Sequence, residues 1–171
     1  YMGVYAIMEK PERGNDRINV ERLDKNDLSG DDLTGGYIVK VDRLDPGTSG
    51  WATTRNFPLT EPFGTEVRLN YGYPEEVPAP APAIPAAQSA YIRNDVQAVE
   101  DALVQPNRTN PATGLHYTDY IDRDSWVDHG LLNILSQNAD CFRLSTYMHK
   151  PRLGKLVAGP IWDFDRTMGS T

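Results

Sequence analysis

The sequence has little of what zinc and disulfide chemistry need, with one cysteine, Cys141, and three histidines. A single cysteine excludes a disulfide within the chain and a cysteine-rich zinc site. The histidines, His116, His129 and His149, have no second histidine or carboxylate at a zinc-ligand spacing, which disfavours zinc hydrolase chemistry. We interpret His129 as a packed or surface residue, and Cys141 as a buried structural thiol rather than a nucleophile.

Positive charge is also scarce, because 17 lysines and arginines face 24 aspartates and glutamates, for a net charge of −7. Nucleic-acid and anionic-membrane partners require a basic surface, so we expect neither. No apolar run approaches the roughly 20 residues of a membrane span, and no signal peptide is recognisable. The 171 residues, 39% of them hydrophobic, suffice for one domain with a sizeable core.

Three segments alternate between apolar and polar residues, as strands do. The pattern predicts strands over residues 1–10, 36–43 and 66–71, whereas residues 17–34 fit either a strand or a helix. The Pro- and Ala-rich residues 74–87 favour polyproline II, so we expect a surface connection there.

Helical periodicity follows this connection and, with the strands, predicts an α+β fold. The first helix carries an apolar stripe of Ile92, Val96, Val99 and Leu103, with Ser89 as its candidate cap. We expect its exposed face to carry Arg93, Asp95, Gln97 and Glu100. The second helix is predicted to have Asp122 or Asp124 as its cap and a stripe of Val127, Leu131, Ile134 and Leu135.

Two aspartates, Asp140 and Asp163, flank a predicted hairpin near the end of the sequence. The apolar residues 144–148 and 156–158 are joined by residues 150–154, whose Pro and Gly predict a turn. The hairpin brings its two ends together, so the aspartates can face one another across a cleft. Asp163 follows a strand that stops at Gly159-Pro160, a position where Mg²⁺ is commonly held.

Such a pair suits phosphoryl transfer. In protein kinases one aspartate receives the proton of the acceptor hydroxyl, and another holds the Mg²⁺ that bridges the nucleotide phosphates. Asp140 fits the first role and Asp163 the second. Alternatively, Asp140 is a cap or turn residue and Trp162-Asp163 ends an ordinary strand, and spacing alone does not decide between these interpretations.

The chain resembles the CotH (spore coat protein H) family of atypical, secreted protein kinases. The resemblance is carried, in the family's order, by residues 1–10, 35–42, 124–128, 138–140 (Asn-Ala-Asp) and 160–165 (Pro-Ile-Trp-Asp-Phe-Asp). It implies a kinase-like domain over residues 1–171, with ATP and Mg²⁺ (or Mn²⁺) as cofactors. It also implies phosphate transfer to Ser (or Thr) of a Ser-rich secreted or surface protein, at the cell or spore surface.

By position, the resemblance implies that Asp140 is the catalytic aspartate, Asp163 the metal-binding aspartate and Glu9 part of the hinge that meets adenine. Asp165 is a second candidate metal ligand or a cap for the following turn. Near these residues we expect supporting roles for Asn138, Arg143, Ser145 and Trp162. Asn138 either fixes the loop of Asp140 or caps the preceding helix, and Arg143 either neutralises a phosphate or pairs with Asp140.

The sequence departs from the kinase pattern in two ways. Ser145 stands where protein kinases have a metal-binding Asn. A phosphate-covering loop and a lysine on an earlier strand have no credible candidates, since Lys40 follows the proposed hinge and is interpreted as facing solvent. We therefore expect a hinge strand and C-terminal lobe with the N-terminal lobe largely missing, and little activity from this chain alone.

Two alternatives to a kinase are compatible with the same residues. One is a catalytically inactive kinase-like binding or adhesion module at the cell or spore surface. The other is a hydrolase that uses the two carboxylates on phosphoesters without a nucleotide donor. The sequence indicates no oligomeric state.

Overall fold

The computed structural model describes residues 9–44, 46–48, 50–55, 59–60, 66–75 and 83–169, with backbone alone for residues 59–60 and 66–67. The predicted strand over residues 1–10 lies outside the described residues except for Glu9 and Lys10. Half of the predicted connection over residues 74–87, residues 76–82, lies outside them as well.

A five-stranded antiparallel sheet forms the centre of the described structure. Its strands are β1 (Tyr37–Arg43), β2 (Leu59–Thr60), β3 (Glu66–Tyr73), β4 (Thr146–Lys150) and β5 (Val157–Ala158). They lie in the order β2-β3-β1-β4-β5, so β1 is central and pairs with both β3 and β4. The strand predictions for residues 36–43 and 66–71 are confirmed.

Helices complete an α+β fold, as predicted. They are α1 (Ala86–Leu103), α2 (Tyr117–Tyr120) and α3 (Arg123–Leu135). Residues 17–34, left open by the sequence, are mostly irregular and contain a 3₁₀ helix at Asp31–Leu33. Because α1 already begins at Ala86, the predicted connection over residues 74–87 is wrong for its last two positions. In the described part of the chain, no helix has the length and apolarity to cross a membrane.

Both faces of the sheet carry apolar clusters, because successive side chains of a strand point to opposite faces. The larger cluster joins the sheet to α1 and includes Tyr37, Val39, Leu69, Ile92, Val96, Val99 and Met148. The smaller cluster lies on the other face and consists of Ile18, Val20, Ile38 and Tyr147, with Tyr73 and Trp162 packed against it. The second face is the one that leads to the candidate site.

Helix α1 differs from the prediction at its start and on one side. Pro85 precedes its first turn and Ser89 lies inside it, so Ser89 is not the cap. Asp95 is not solvent-exposed: it accepts a 2.8 Å bond from Lys150 Nζ and another from the Tyr37 hydroxyl. Burial alone would lower the pKa of Lys150, but the Asp95 carboxylate raises it above its ordinary value. The polar position predicted to face water instead anchors α1 to β4.

Helix α3 begins as predicted, because the Asp122 carboxylate accepts a 3.0 Å bond from the Ser125 amide. Its predicted buried stripe is wrong, since Val127, Leu131, Ile134 and Leu135 are all exposed. The helix instead turns His129 and Asn133 inward, and Trp126 Nε1 donates to the Leu156 carbonyl at 3.0 Å. Polar contacts therefore decide which side of this helix is buried.

Candidate active site

The hairpin between the two aspartates is present. β4 and β5 pair with Met148 opposite Ala158 and His149 opposite Val157. The turn is closed by a 3.0 Å bond from the Gly154 amide to the Pro151 carbonyl. The segment after Asp140 and the segment before Asp163 therefore reach the same end of the hairpin.

Asp140 lies in a loop that is tied to helix α3. Asn138 Nδ2 donates to Asn133 Oδ1 at 2.8 Å, and Asn138 Oδ1 accepts from the Asp140 amide at 3.1 Å. The Asp140 carbonyl in turn accepts bonds from the Arg143 amide at 3.0 Å and the Leu144 amide at 2.9 Å. Asn138 thus links the backbone of Asp140 to the helix, and the carbonyl of Asp140 closes the next turn.

The Asp140 side chain is buried and ion-paired, with the residue 6% exposed. Its Oδ1 lies 2.6 Å from Arg143 Nη2 and 3.6 Å from Arg166 Nη1. Arg143 was predicted either to neutralise a phosphate or to pair with Asp140, and in the structure it pairs with Asp140. Arg166 was not singled out from the sequence, because only the folded hairpin brings it back to Asp140.

Asp163 lies at the other end of the hairpin and is exposed. Its Oδ2 accepts a 3.0 Å bond from the Ser145 hydroxyl. Ser145 and Asp163, both predicted site residues, are therefore in contact, although 18 positions separate them in the sequence. Their oxygen atoms are close enough to share a hard cation as ligands.

Left-handed backbone conformations concentrate around the two aspartates. Among the described residues, seven non-glycine residues have positive φ. Five of them lie on the loops that flank Asp140 and Asp163: Gln137, Phe142, Ser145, Asp163 and Met168. Such conformations are uncommon for residues with a side chain, and they cluster at functional sites. Ser145 (φ 51°) and Asp163 (φ 58°) both belong to this set and are hydrogen-bonded to each other.

Asp163 lines a cavity of about 390 Å³ together with Glu9, Trp162 and Asp165. Glu9 and Trp162 also line a neighbouring cavity of about 290 Å³, whose other walls include Pro11. Glu9 is exposed at this junction, and its Oε1 lies 2.7 Å from Arg17 Nε. These two cavities, which share Glu9 and Trp162 as lining residues, are together called the groove.

A third cavity, of about 350 Å³, lies on the second face of the sheet and shares Pro11 with the groove. Lys40, Asn70 and Tyr147 are among its lining residues. Lys40, interpreted from sequence as a strand residue facing solvent, lies on β1, is half-buried and lines this cavity.

Asp42 is a further acidic residue near the site that the sequence reading did not single out. Burial raises the pKa of its carboxyl, and the nearby Asp163 raises it further, against the lowering effect of Lys40 and the Arg43 amide. The alternation of β1 contained a signal for it, since Lys40 and Asp42 fall on the same face.

His129 is a packed residue, in agreement with its interpretation from sequence, whereas Cys141, interpreted as buried, is half-buried. His129 is 7% exposed, and its Nδ1 lies 3.1 Å from Asn133 Nδ2. Burial lowers the pKa of His129 and raises that of the half-buried Cys141 thiol. A raised thiol pKa leaves less thiolate, which argues against a nucleophilic role.

Within the described residues, no group of three or more His, Cys, Asp or Glu side chains could hold a metal ion. Mg²⁺ is commonly bound by one or two carboxylates together with substrate phosphates and water. The pair formed by Asp163 and Ser145 offers such a partial set of oxygen ligands.

Comparison with known proteins gives one match. The sequence model of the family described as CotH kinase protein matches residues 1–171. A search of curated proteins finds no match, and a search of solved structures finds none either. The family match covers the whole chain, and the chain therefore belongs to the CotH kinase family.

Proposed function

We propose that the chain has a kinase-like fold and supplies metal-binding and proton-accepting residues for ATP- and Mg²⁺-dependent transfer of phosphate to Ser or Thr of secreted or surface proteins. The observation that carries the proposal is the meeting of Ser145 and Asp163 at the edge of a groove bordered by Glu9. Membership of the CotH kinase family supports it independently. Serine-rich proteins outside the cell or at the spore surface are the proposed substrates.

Asp163 and Ser145 are the proposed ligands of Mg²⁺ or Mn²⁺, with Asp165 as a second carboxylate on the same cavity. With an ion bound, these residues would place a positive charge beside the nucleotide phosphates, where it would offset their negative charge. The hydrogen bond from the Ser145 hydroxyl orients the Asp163 carboxylate towards Ser145. Ser145 thus supplies an oxygen where other kinases supply the amide of Asn.

The apolar part of the groove is the proposed adenine site. Pro11, Ile18 and Trp162 line the cavity of about 290 Å³ that adjoins the one containing Asp163. Flat apolar walls suit a purine ring, while Glu9 and the backbone beside it supply polar contacts at the rim. Trp162 is held in place by an edge-to-face contact with Tyr147, at 6.3 Å between ring centroids.

Asp140 is the proposed acceptor of the substrate proton. Arg143 and Arg166 both meet its Oδ1, and we assign proton acceptance to Oδ2. The substrate hydroxyl oxygen forms a bond to the γ-phosphorus as the bond to the β–γ bridging oxygen breaks, and its proton passes to Asp140. Because Asp140 is buried, entry of the hydroxyl requires movement of Arg166, whose side chain is 52% exposed.

A second candidate is a binding or adhesion module that holds a nucleotide without transferring its phosphate. Two observations favour it. Arg143 and Arg166 both contact the Asp140 carboxylate, and Ser145 stands where protein kinases have Asn. The two candidates share the nucleotide groove and differ only in turnover.

The test is transfer of radiolabelled γ-phosphate from ATP to a serine-rich protein in the presence of Mg²⁺. We expect Asp140→Asn to lower the transfer rate by about 10²- to 10⁴-fold, because the proton acceptor is lost. The matched control is Asp128→Asn, which changes an exposed aspartate on α3 and is expected to leave the rate unchanged.

Nucleotide binding is measured in parallel by calorimetry on the same preparations. Mg²⁺-ATP binding without transfer would refute the kinase proposal and favour the binding module. Transfer that survives Asp140→Asn at the full rate would refute the role of Asp140.

A further inference from the structure

A cavity of about 750 Å³ lies at the end of β3, where Gly72 and Tyr73 line it together with residues 12–13 and 22–25. Its volume is within the range of sites that bind small molecules. None of the residues proposed to bind the metal or the nucleotide is among its described lining residues. The cavity is therefore a second candidate binding site.

The charges that line this cavity are unevenly paired. Each of its three carboxylates forms an ion pair, in Glu12–Arg17 (2.8 Å), Glu75–Lys10 (3.7 Å) and Asp24–Arg22 (3.5 Å). By contrast, no carboxylate of the described residues pairs with Arg13 or Lys25, which line the same cavity. Since its carboxylates are paired and two of its cations are not, the cavity favours an anionic ligand.

Arg13 is held in place by stacking rather than by an ion pair. Its guanidinium carbon lies 5.3 Å from the centroid of the Tyr73 ring, and the Tyr73 hydroxyl accepts a 3.2 Å bond from the Leu23 amide. The loop that carries Arg13 is closed by a 3.2 Å bond from the Ile18 amide to the Glu12 carbonyl. A guanidinium stacked on a ring keeps its planar set of N–H donors for carboxylate or phosphate oxygens.

Lys25 lies in a turn that is tied to helix α1. The Asp24 amide donates to Asp27 Oδ2 at 2.8 Å, and the Asp27 amide donates to the Asp24 carbonyl at 2.9 Å. The buried Gln88 side chain of α1 donates to the carbonyls of both aspartates, at 2.5 Å and 3.2 Å. The backbone of Lys25 is thus fixed while the residue itself is exposed.

We propose that this cavity binds phosphoserine of the protein substrate, with Arg13 and Lys25 contacting the phosphate. A phosphoserine carries a charge of about −1.5 to −2 at pH 7 and three acceptor oxygens, which suit a planar guanidinium and a second cation. The inference rests on the proposed function, whose product on a serine-rich protein is phosphoserine. A substrate that already carries phosphate would then bind more tightly than one that carries none.

The test is binding of a fluorescent serine-rich peptide to the full chain, measured by anisotropy without nucleotide. Three peptides are compared that differ at one position only, which is serine, phosphoserine or glutamate. We expect the phosphoserine peptide to bind at least about tenfold more tightly than the serine peptide, because only the phosphate makes charge-assisted contacts with both cations. The glutamate peptide, with a single charge, is expected to bind with intermediate affinity.

Arg13→Gln and Lys25→Gln each remove one charge from the cavity. We expect each variant to bind the phosphoserine peptide about tenfold more weakly and the serine peptide within about twofold of the unmodified chain. Because Lys25 is exposed and its turn is held by backbone contacts, Lys25→Gln should leave folding intact. Arg13→Lys keeps the charge but loses the planar donors, so it should restore only part of the affinity.

The matched controls are Arg123→Gln and Lys155→Gln, which remove exposed cations that do not line this cavity. Arg123 pairs with Asp124, and Lys155 donates to the Thr118 carbonyl. Both controls should bind all three peptides as the unmodified chain does.

Equal affinity of the unmodified chain for the phosphoserine and serine peptides would overturn the inference. Variants of Arg13 and Lys25 that bind the phosphoserine peptide as tightly as the unmodified chain would also overturn it. Equal affinity for the glutamate and phosphoserine peptides would overturn the assignment of phosphate and indicate a site for acidic segments in general. Because these measurements contain no nucleotide, failure of the proposed function is observed separately, as an unmodified chain that binds no Mg²⁺-ATP.

Discussion

At the scale of single residues, Asp42 shows how the site balances its charges. Its carboxylate accepts a 2.8 Å bond from the Arg43 amide, yet burial raises its pKa above the ordinary value of 3.8. The charged Asp163 nearby adds to the increase. An ionised Asp42 therefore costs stability at neutral pH, because two carboxylates share a partly dehydrated region.

Asp42→Asn is expected to increase the stability of the chain at pH 7, since the amide keeps the hydrogen bond and removes the charge. A raised pKa in the folded state means that the folded chain binds more protons, so stability is lost as pH rises through that pKa. The gain from Asp42→Asn should therefore shrink as pH falls towards 3.8. Urea unfolding at pH 7 and pH 4 measures both values.

Asp128→Asn is the control for this experiment, because it removes an exposed carboxylate far from any paired charge on β1. A variant Asp42→Asn that is less stable than the unmodified chain at pH 7 would show that the ionised carboxylate is stabilising. Such a result would contradict the expectation that Asp42 and Asp163 repel each other.

Asp140 and Asp163 were identifiable from sequence as candidate site residues, because the segment between them predicts a hairpin. Asp140 and Asp163 stand at the two ends of a hairpin whose Pro and Gly mark the turn, and the hairpin forms. Arg166 was not identifiable in the same way. Its partner Asp140 lies on another loop, so only the tertiary structure brings the two together.

At the scale of elements, the two long helices show when an apolar pattern predicts burial. In α1 the stripe residues Ile92, Val96 and Val99 are buried, as predicted, whereas the fourth, Leu103, is exposed. In α3 the apolar stripe is exposed, while His129 and Asn133 face inward. Periodicity identifies a face of a helix, but the contacts available on each side decide its orientation.

A matched pair of substitutions tests this difference. Ile92→Ala removes a fully buried side chain and is expected to cost about 2–5 kcal/mol of unfolding free energy. Ile134→Ala removes a side chain that is 71% exposed and is expected to change stability by less than about 0.5 kcal/mol. Urea unfolding of both variants gives the comparison. Equal losses would mean that the outer face of α3 is buried in solution.

At the scale of the whole molecule, the groove depends on segments that are distant in sequence. Glu9 comes from the first described residues, while Trp162 and Asp163 come from the last part of the chain. The sheet connects them, because Ile38 of β1 packs with both Ile18 and Tyr147. The α+β class and the hairpin near the end of the sequence were predicted from sequence patterns, whereas the joining of these segments was not.

The proposed roles of the groove and of Asp163 both depend on nucleotide binding. The most direct measurement is calorimetric titration of Mg²⁺-ATP into the unmodified chain, Asp163→Ala and the exposed control Asp128→Ala. We expect the unmodified chain and the control to bind alike, and Asp163→Ala to bind at least about tenfold more weakly, because a metal ligand is lost. Asp163→Ala binding Mg²⁺-ATP as tightly as the unmodified chain, or an unmodified chain that does not bind it, would contradict the account.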